Sequence, residues 1–364
     1  MSGPAPRKGI MDIRPYKPGS SEAPGIEKPA KLSSNENPLG ASPKAIEAYK
    51  ACADSLHLYP DGAWVKLRES IAARYELDAE RLVCGAGSDE ILQMVGKAYL
   101  NPGEAILRSE YGFLVYGLVA KQSLADIQIA PETDYTANVD ALLDAVTDKT
   151  RVVFVANPNN PTGTYLPASE IRRLHAGLRE DVLLVVDEAY AEYMRQDDFE
   201  TALPMASEFP NVLVTRTFSK IYGLAALRLG WAYGPADVIG ALNRVRGPFN
   251  VSVPAQAAGA AAVHDLEFED RSVAHNEKWR PWLEREISGL GLNVTPGFGN
   301  FVLVHFDAEG AKTAEAADSF LKSRGLIVRP LQPYGLGDAL RMTVGTEDEN
   351  RRLAAALQEF VSGA

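Results

Sequence analysis

Ser219-Lys220-Ile221-Tyr222-Gly223-Leu224-Ala225-Ala226-Leu227-Arg228-Leu229-Gly230 follows the short β-branched run Asn211-Val212-Leu213-Val214-Thr215. That run has the composition of a buried strand, and its polar continuation Arg216-Thr217-Phe218-Ser219 reads as chain leaving a sheet. Lys220 thereby falls at the carboxyl end of a strand, where the ligands of open α/β sheets collect. A lysine partly desolvated there loses pKa and becomes a usable amine nucleophile. With Arg228 a short distance downstream, the stretch suits covalent capture of a phosphorylated aldehyde. Most lone lysines are solvated surface charges, so what accompanies Lys220 decides its role.

Outward from this stretch, apolar runs alternate with helix-length segments. Ala105-Ile106-Leu107, Val152-Val153-Phe154-Val155 and Val182-Leu183-Leu184-Val185-Val186 join Val212-Leu213-Val214 as predicted strands. Such alternation means βαβ units and a mostly parallel sheet flanked by helices, a large α/β domain over 41–250. Beyond it come an Ala-rich stretch from Ala255 to Val263 and a charged helical pattern from Glu267 to Ile287. Strand-like Asn300–Val304 and Leu340–Val344 follow, then a closing helix from Glu347 to Phe360. The spacing predicts a smaller α+β domain over 251–364, and at 364 residues two domains sharing a cleft are expected. Residues 1–40 are Pro/Gly-rich and polar, an arm that needs something to lie against.

Other strand ends in the large domain also carry polar chemistry. After Arg81-Leu82-Val83-Cys84 comes Gly85-Ala86-Gly87-Ser88-Asp89-Glu90, opening a helix whose apolar positions are Ile91, Met94, Val95 and Ala98. Ser88 is expected as the N-cap, with first-turn amides offered to a phosphate; a dinucleotide fingerprint would need a glycine where Glu90 stands. In Asn157-Pro158-Asn159-Asn160-Pro161-Thr162-Gly163 the prolines rigidify a turn that fixes the Asn160 amide as donor to a ring oxygen. Asp187, ending the run before Glu188-Ala189-Tyr190, is costly to bury unless something positive faces it. A protonated pyridine nitrogen would do so, with Tyr190 reaching the phenolic oxygen; an arginine partner for Asp187 is the structural alternative. Ser219 and Arg228 would clamp a phosphate. All of these demands meet in pyridoxal 5'-phosphate.

Taken together these motifs resemble those of fold-type-I pyridoxal-phosphate aminotransferases, and within that group the chain is most similar to the histidinol-phosphate aminotransferases. The resemblance rests on Lys31-Leu32-Ser33-Ser34-Asn35-Glu36-Asn37-Pro38-Leu39-Gly40, Tyr59-Pro60-Asp61-Gly62, Asn157 to Gly163, Asp187 to Tyr190, Ser219 to Gly230 and Leu340 to Thr346, nearly the whole chain in the family's order. It implies that Lys220 is catalytic and that Gly87, Ser88, Asp89, Thr217 and Ser219 join Asn160, Asp187, Tyr190 and Arg228 around the cofactor. It further implies that Tyr111 stacks on the cofactor ring and that Tyr59 reaches the cofactor of a neighbouring subunit in a homodimer. Arg341 resembles the arginine that receives the substrate's terminal anion, with Tyr16, Asn37 and Arg329 as further substrate contacts and the amino-terminal arm folded over the cleft. Ala226 and Trp231 depart from the glycine and tyrosine common among relatives. The activity implied is a ping-pong transamination of L-histidinol phosphate with a 2-oxo acid; a tyrosine or phenylalanine aminotransferase, an amino-acid phosphate decarboxylase and a non-catalytic cofactor-binding module are the rivals.

Composition sets limits around this expectation. The formal net charge of −11 argues against nucleic acid and anionic membranes as partners, so any bound anion must be held by local arginines and helix amino ends. Cys52 and Cys84 are the only cysteines and suggest a reducing compartment; with no apolar leader or long apolar run, a cytoplasmic protein acting on small molecules is expected. The five histidines are scattered without ligand spacing, which predicts no metal site.

Overall fold

The apolar runs assemble into one sheet. In the computed structural model, which describes residues 3–7, 9–13, 15 and 25–363, seven strands lie in the order Leu82–Gly85, Gly230–Tyr233, Val212–Thr217, Leu183–Asp187, Thr150–Ala156, Ala105–Ser109 and Asp126–Ala130. Gly230–Tyr233 is antiparallel to both neighbours and the remaining pairs are parallel. Register places Ala156 beside Asp187 and Asp187 beside Thr215, while Gly230 pairs with both Thr217 and Gly85. The turns after Gly85, Ala156, Asp187 and Thr217 therefore leave the sheet side by side along one edge.

Two differences from the sequence expectation have clear physical causes. The strand before Lys220 continues through Arg216 and Thr217, both buried. Arg216 is tolerated there because its guanidinium donates to Glu188 Oε2 at 2.8 Å and Glu192 Oε1 at 3.1 Å, between the rings of Tyr75 and Trp231. The helix Val253–Ala262, expected to open the smaller domain, instead buries Ala255, Ala258 and Ala262 in the large core against the helices Pro43–Lys50 and Val65–Tyr75. Its small side chains permit this close approach: a Cβ on Gly259 would lie 3.0 Å from Leu67 Cδ1 of Val65–Tyr75, and 2.3 Å from Leu229 Cδ2 in the same core.

A second apolar cluster forms around an antiparallel sheet ordered Asn293–Thr295, Phe301–His305, Leu336–Thr343 and Arg329–Leu331. The helices Leu266–Gly289, Ala314–Ser323 and Glu347–Ser362 pack on it, the last started by a capping box between Thr346 and Glu349. Ala30–Lys31 pairs in parallel with Leu326–Ile327, so the segment leading into Leu32 is anchored to this second body.

Removing Arg216 should be severe, because it would strand two buried carboxylates. Arg216→Leu is expected to cost about 3–5 kcal/mol in denaturant unfolding; a loss below about 1 kcal/mol would show that Glu188 and Glu192 do not depend on it.

Candidate active site

The sheet edge opens into a cavity of about 510 Å³, within the range of small-ligand pockets. Of the residues expected at a site, it is lined by Ser88, Asp89, Asn160, Asp187, Tyr190 and Thr217 at the strand ends. Ser219, Lys220 and Arg228 follow along the same wall, and Arg329 and Arg341 close it from the second sheet.

Lys220 is half-buried, its Nζ donating to the Ser34 carbonyl at 3.1 Å and lying 5.9 Å from the Tyr190 ring centroid. Burial, and next the charge of Arg341, lower its pKa to about 8, with Glu36 and Asp89 opposing the shift. Asp187 is 4% exposed and accepts from Thr215 Oγ1 at 2.9 Å and Tyr116 Oη at 3.0 Å. Among the described residues it joins no ion pair; the arginine of this region goes to Glu188 and Glu192 instead. Burial accordingly raises the Asp187 pKa to about 6 despite the two hydroxyl donors.

Arg228 donates to Ser219 Oγ at 3.4 Å and pairs with Asp89 at 3.2 Å, beside the start of the helix Ser88–Tyr99. Its own backbone sits in the left-handed region at φ 49°, a strained conformation for a side-chain-bearing residue. The N-cap of that helix is Gly87 rather than Ser88, and no side chain caps it. Glycine suits this position because its backbone has φ 83°, a conformation that side-chain-bearing residues rarely adopt. The first-turn amides are thus left open beside a guanidinium, while Glu90 turns back to accept from the Ala86 N–H at 2.6 Å. Asn160 Oδ1 accepts from Arg341 Nη1, leaving its amide nitrogen as the group it can offer a ligand. Arg341 also donates to the Ser33 carbonyl at 2.9 Å. Arg329 stands directly across the ladder from it, which brings two guanidinium-bearing residues to one place on the second sheet.

These features fit a phosphorylated pyridine aldehyde: an unpaired buried carboxylate for a cationic ring nitrogen, an amine of lowered pKa for the aldehyde, and a Ser/Arg/amide cradle for the phosphate.

Several expected residues lie elsewhere. Asn37 is outside the cavity lining and is spent on structure: Nδ2 donates to the Ile221 carbonyl at 2.8 Å and Ser272 Oγ at 3.0 Å, while Oδ1 accepts from the Leu39 N–H at 3.0 Å. Asn35, two residues earlier, lines the cavity in its place. Tyr111 packs with Tyr135 against Leu303, Leu331, Leu336 and Ala339, and from the same turn it is Phe113 that lines the cavity. Tyr59 is 81% exposed and stacks on Phe249. Tyr16 lies outside the described residues. Sequence reasoning missed Asn35, Tyr116 and Thr215 at the site, although Asn35 stood within a quoted motif and Thr215 closed the quoted strand run.

The chain belongs to the class I and II aminotransferases, whose family model matches residues 27–357. Among its relatives it is 60% identical to the histidinol-phosphate aminotransferase of Maricaulis maris and 54% identical to that of Paramagnetospirillum magneticum, over 98% and 99% of each chain. It also resembles the crystal structure of histidinol-phosphate aminotransferase from Sinorhizobium meliloti in complex with pyridoxal-5'-phosphate, at 28% identity, a TM-score of 0.86 and 92% coverage of both chains. An aspartate aminotransferase from Thermus thermophilus shares the fold at 20% identity, with a TM-score of 0.85 over all of both chains.

In the cofactor-free protein, acylation of Lys220 followed by peptide mapping should rise with pH through a midpoint near 8, not the ordinary lysine value of 10.5. A midpoint above 10 would mean the amine is fully solvated.

Proposed function

We propose that the chain catalyses pyridoxal-phosphate-dependent transamination of L-histidinol phosphate with 2-oxoglutarate, giving imidazole acetol phosphate and glutamate in histidine biosynthesis. The observation that carries the donor assignment is the register of Arg329 opposite Arg341 at one end of the cavity holding Lys220. Two guanidinium groups suit a doubly charged phosphate, each charge-assisted bond contributing about 1.5–3 kcal/mol. The names carried by relatives 51–60% identical over nearly the whole chain support the same donor.

Pyridoxal phosphate, when bound, supplies an aldehyde that condenses with amines and a ring that withdraws electrons from the substrate α-carbon. Ser219, Thr217, Arg228 and the amides of Ser88 and Asp89 after Gly87 would hold its phosphate, Asp187 its ring nitrogen, and Asn160 and Tyr190 its ring oxygen. Lys220 is then the base: with a pKa near 8 it has a substantial neutral fraction at physiological pH, takes the proton from the donor's α-carbon and carries it as ammonium until delivery. Arg341 and Arg329 hold the substrate anion, and the bond from Arg341 to Asn160 ties the two binding groups together.

A homodimer belongs to the same proposal. Leu56, Leu58, Tyr59, Tyr49 and Ile46 are exposed apolar side chains near one another in sequence, a surface that favours cover by a second copy. Tyr59 would enter the neighbouring site. A cytoplasmic location fits the free thiols of Cys52 and Cys84, and no helix among the described residues is long and apolar enough to cross a membrane.

With the purified enzyme, kcat/KM for histidinol phosphate should exceed that for tyrosine or phenylalanine by about 100-fold or more, and a preference for the aromatic amino acids would overturn the donor assignment. Lys220→Ala should lose about 10³-fold or more in turnover while still binding cofactor; near-normal turnover would remove Lys220 from the chemistry. Mixing Lys220→Ala with Tyr59→Ala subunits should restore up to about a quarter of normal activity, since half of the exchanged dimers carry one intact site. No recovery after exchange verified by mass spectrometry would place Tyr59 outside the neighbouring site.

A further inference from the structure

Asn35 lies in Ser34-Asn35-Glu36-Asn37, and transamination as described above gives it no task. It is 1% exposed, and its backbone is in the left-handed region at φ 55°, where asparagine is among the few comfortable residues. Its backbone N–H donates to Thr343 Oγ1 at 2.9 Å, and its carbonyl accepts from Asn300 Nδ2 at 3.1 Å. Side-chain Oδ1 accepts from Thr343 Oγ1 at 3.0 Å, and Nδ2 donates to Tyr190 Oη at 2.9 Å.

Those bonds have a direction. Thr343 Oγ1 receives the backbone N–H of Asn35 and gives its single proton to Oδ1, which fixes the face that the amide turns toward Tyr190. An amide nitrogen carries protons and no acceptor, so in this bond Tyr190 can only accept. The phenolic proton must therefore go to another partner, and Tyr190, itself buried, lines the cavity that holds Lys220 and Asn160. Were the amide reversed, Oδ1 would take that proton and the cavity would lose a donor.

We propose that Asn35 is a positioning residue that makes Tyr190 a hydrogen-bond donor toward the oxygen of a ligand in the cavity. This rests on the assignment of the cavity to pyridoxal phosphate, with the ring oxygen as the acceptor. Asn35 touches neither cofactor nor substrate in this role; it acts through one phenol.

Asn35→Asp separates the possibilities, since aspartate has nearly the same shape, tolerates the same backbone and keeps an acceptor toward Thr343 while replacing the donor toward Tyr190 by an acceptor. The holoenzymes of Asn35→Asp, Tyr190→Phe and the double variant are compared by cofactor dissociation constant, visible absorption spectrum, kcat and donor KM. Asn35→Asp is expected to reproduce Tyr190→Phe: the same displacement of the absorption band, cofactor binding weaker by about tenfold, and a fall in kcat with donor KM within about twofold. In the Tyr190→Phe background it should add less than about twofold. If Asn35→Asp fails to fold, Thr343→Val is expected to shift the band in the same direction and Thr343→Ser to restore it. A wild-type spectrum and affinity for Asn35→Asp, or its full effect retained on top of Tyr190→Phe, overturns the positioning role while leaving the cofactor assignment standing. A Tyr190→Phe enzyme with unchanged spectrum and affinity overturns the assignment of Tyr190 to the cofactor, and the role of Asn35 with it.

Discussion

A carboxylate buried at the end of a hydrophobic strand, with hydroxyls but no cation to meet it, is the constraint around which the site is built. With its pKa raised from 3.8 to about 6, holding Asp187 ionised costs about 3 kcal/mol relative to water. The sign follows from proton binding. Between pH 3.8 and about 6 the folded protein holds a proton there that the unfolded chain has lost, so this group's contribution to stability falls as pH rises through that window. At neutral pH the cofactor-free protein therefore carries an unrelieved charge, and a ligand that places a cation against it is stabilised by that relief. Glu188, one residue on, shows the contrast: its carboxylate meets Arg216 and serves the fold, while Asp187 serves the cavity.

The remaining electrostatics run opposite to the chain as a whole. A protein of net charge −11 gathers Lys31, Lys220, Arg228, Arg329 and Arg341 around one cavity against Glu36, Asp89 and Asp187. Concentrating cations also lowers the pKa of an amine within the cavity, since burial, and next Arg341, depress that of Lys220. The cations that line the cavity thus also enlarge the neutral fraction of the Lys220 amine. Arg228 at the helix start and Arg329 with Arg341 on the second sheet line the cavity from different elements, and in the proposed reaction the first would hold the cofactor phosphate and the pair the donor phosphate.

Much of this was legible from residues alone because the chemistry sits where the pattern breaks. Lys220, Asp187 and Asn160 are polar residues that interrupt or follow apolar strands, and parallel strands bring such breaks to one edge whatever the loops do between them. Single positions were less secure. Ser88 has the chemistry of an N-cap, yet Gly87 takes the place with its backbone at φ 83°, which glycine adopts without strain and serine does not. Tyr111 and Phe113 are both aromatic on the same turn, and local sequence does not say which one faces the cavity and which packs on the second sheet. Tyr116 looks like helix core from its spacing, and nothing local reveals that its hydroxyl reaches Asp187, 71 positions away.

The largest gap concerns the segment Lys31 to Asn37, whose motif was evident and whose work was not. Its strand contact with Leu326–Ile327 fixes it to the second body, and from there it reaches Lys220, Arg341 and Tyr190 in the cavity. The Ser34 carbonyl accepts from Lys220, the Ser33 carbonyl from Arg341, and the Asn35 amide donates to Tyr190. Two of these three bonds come from the backbone, which leaves no signature in side-chain type. Asn300 in turn holds the carbonyls of Asn35 and Glu36 at 3.1 Å and 3.3 Å, so the path of the segment is set from the second sheet. Any shift of that sheet against the first would move the acceptors of Lys220 and Arg341 and the donor of Tyr190 together, which couples the Arg341 guanidinium to the Lys220 amine through one short stretch of chain.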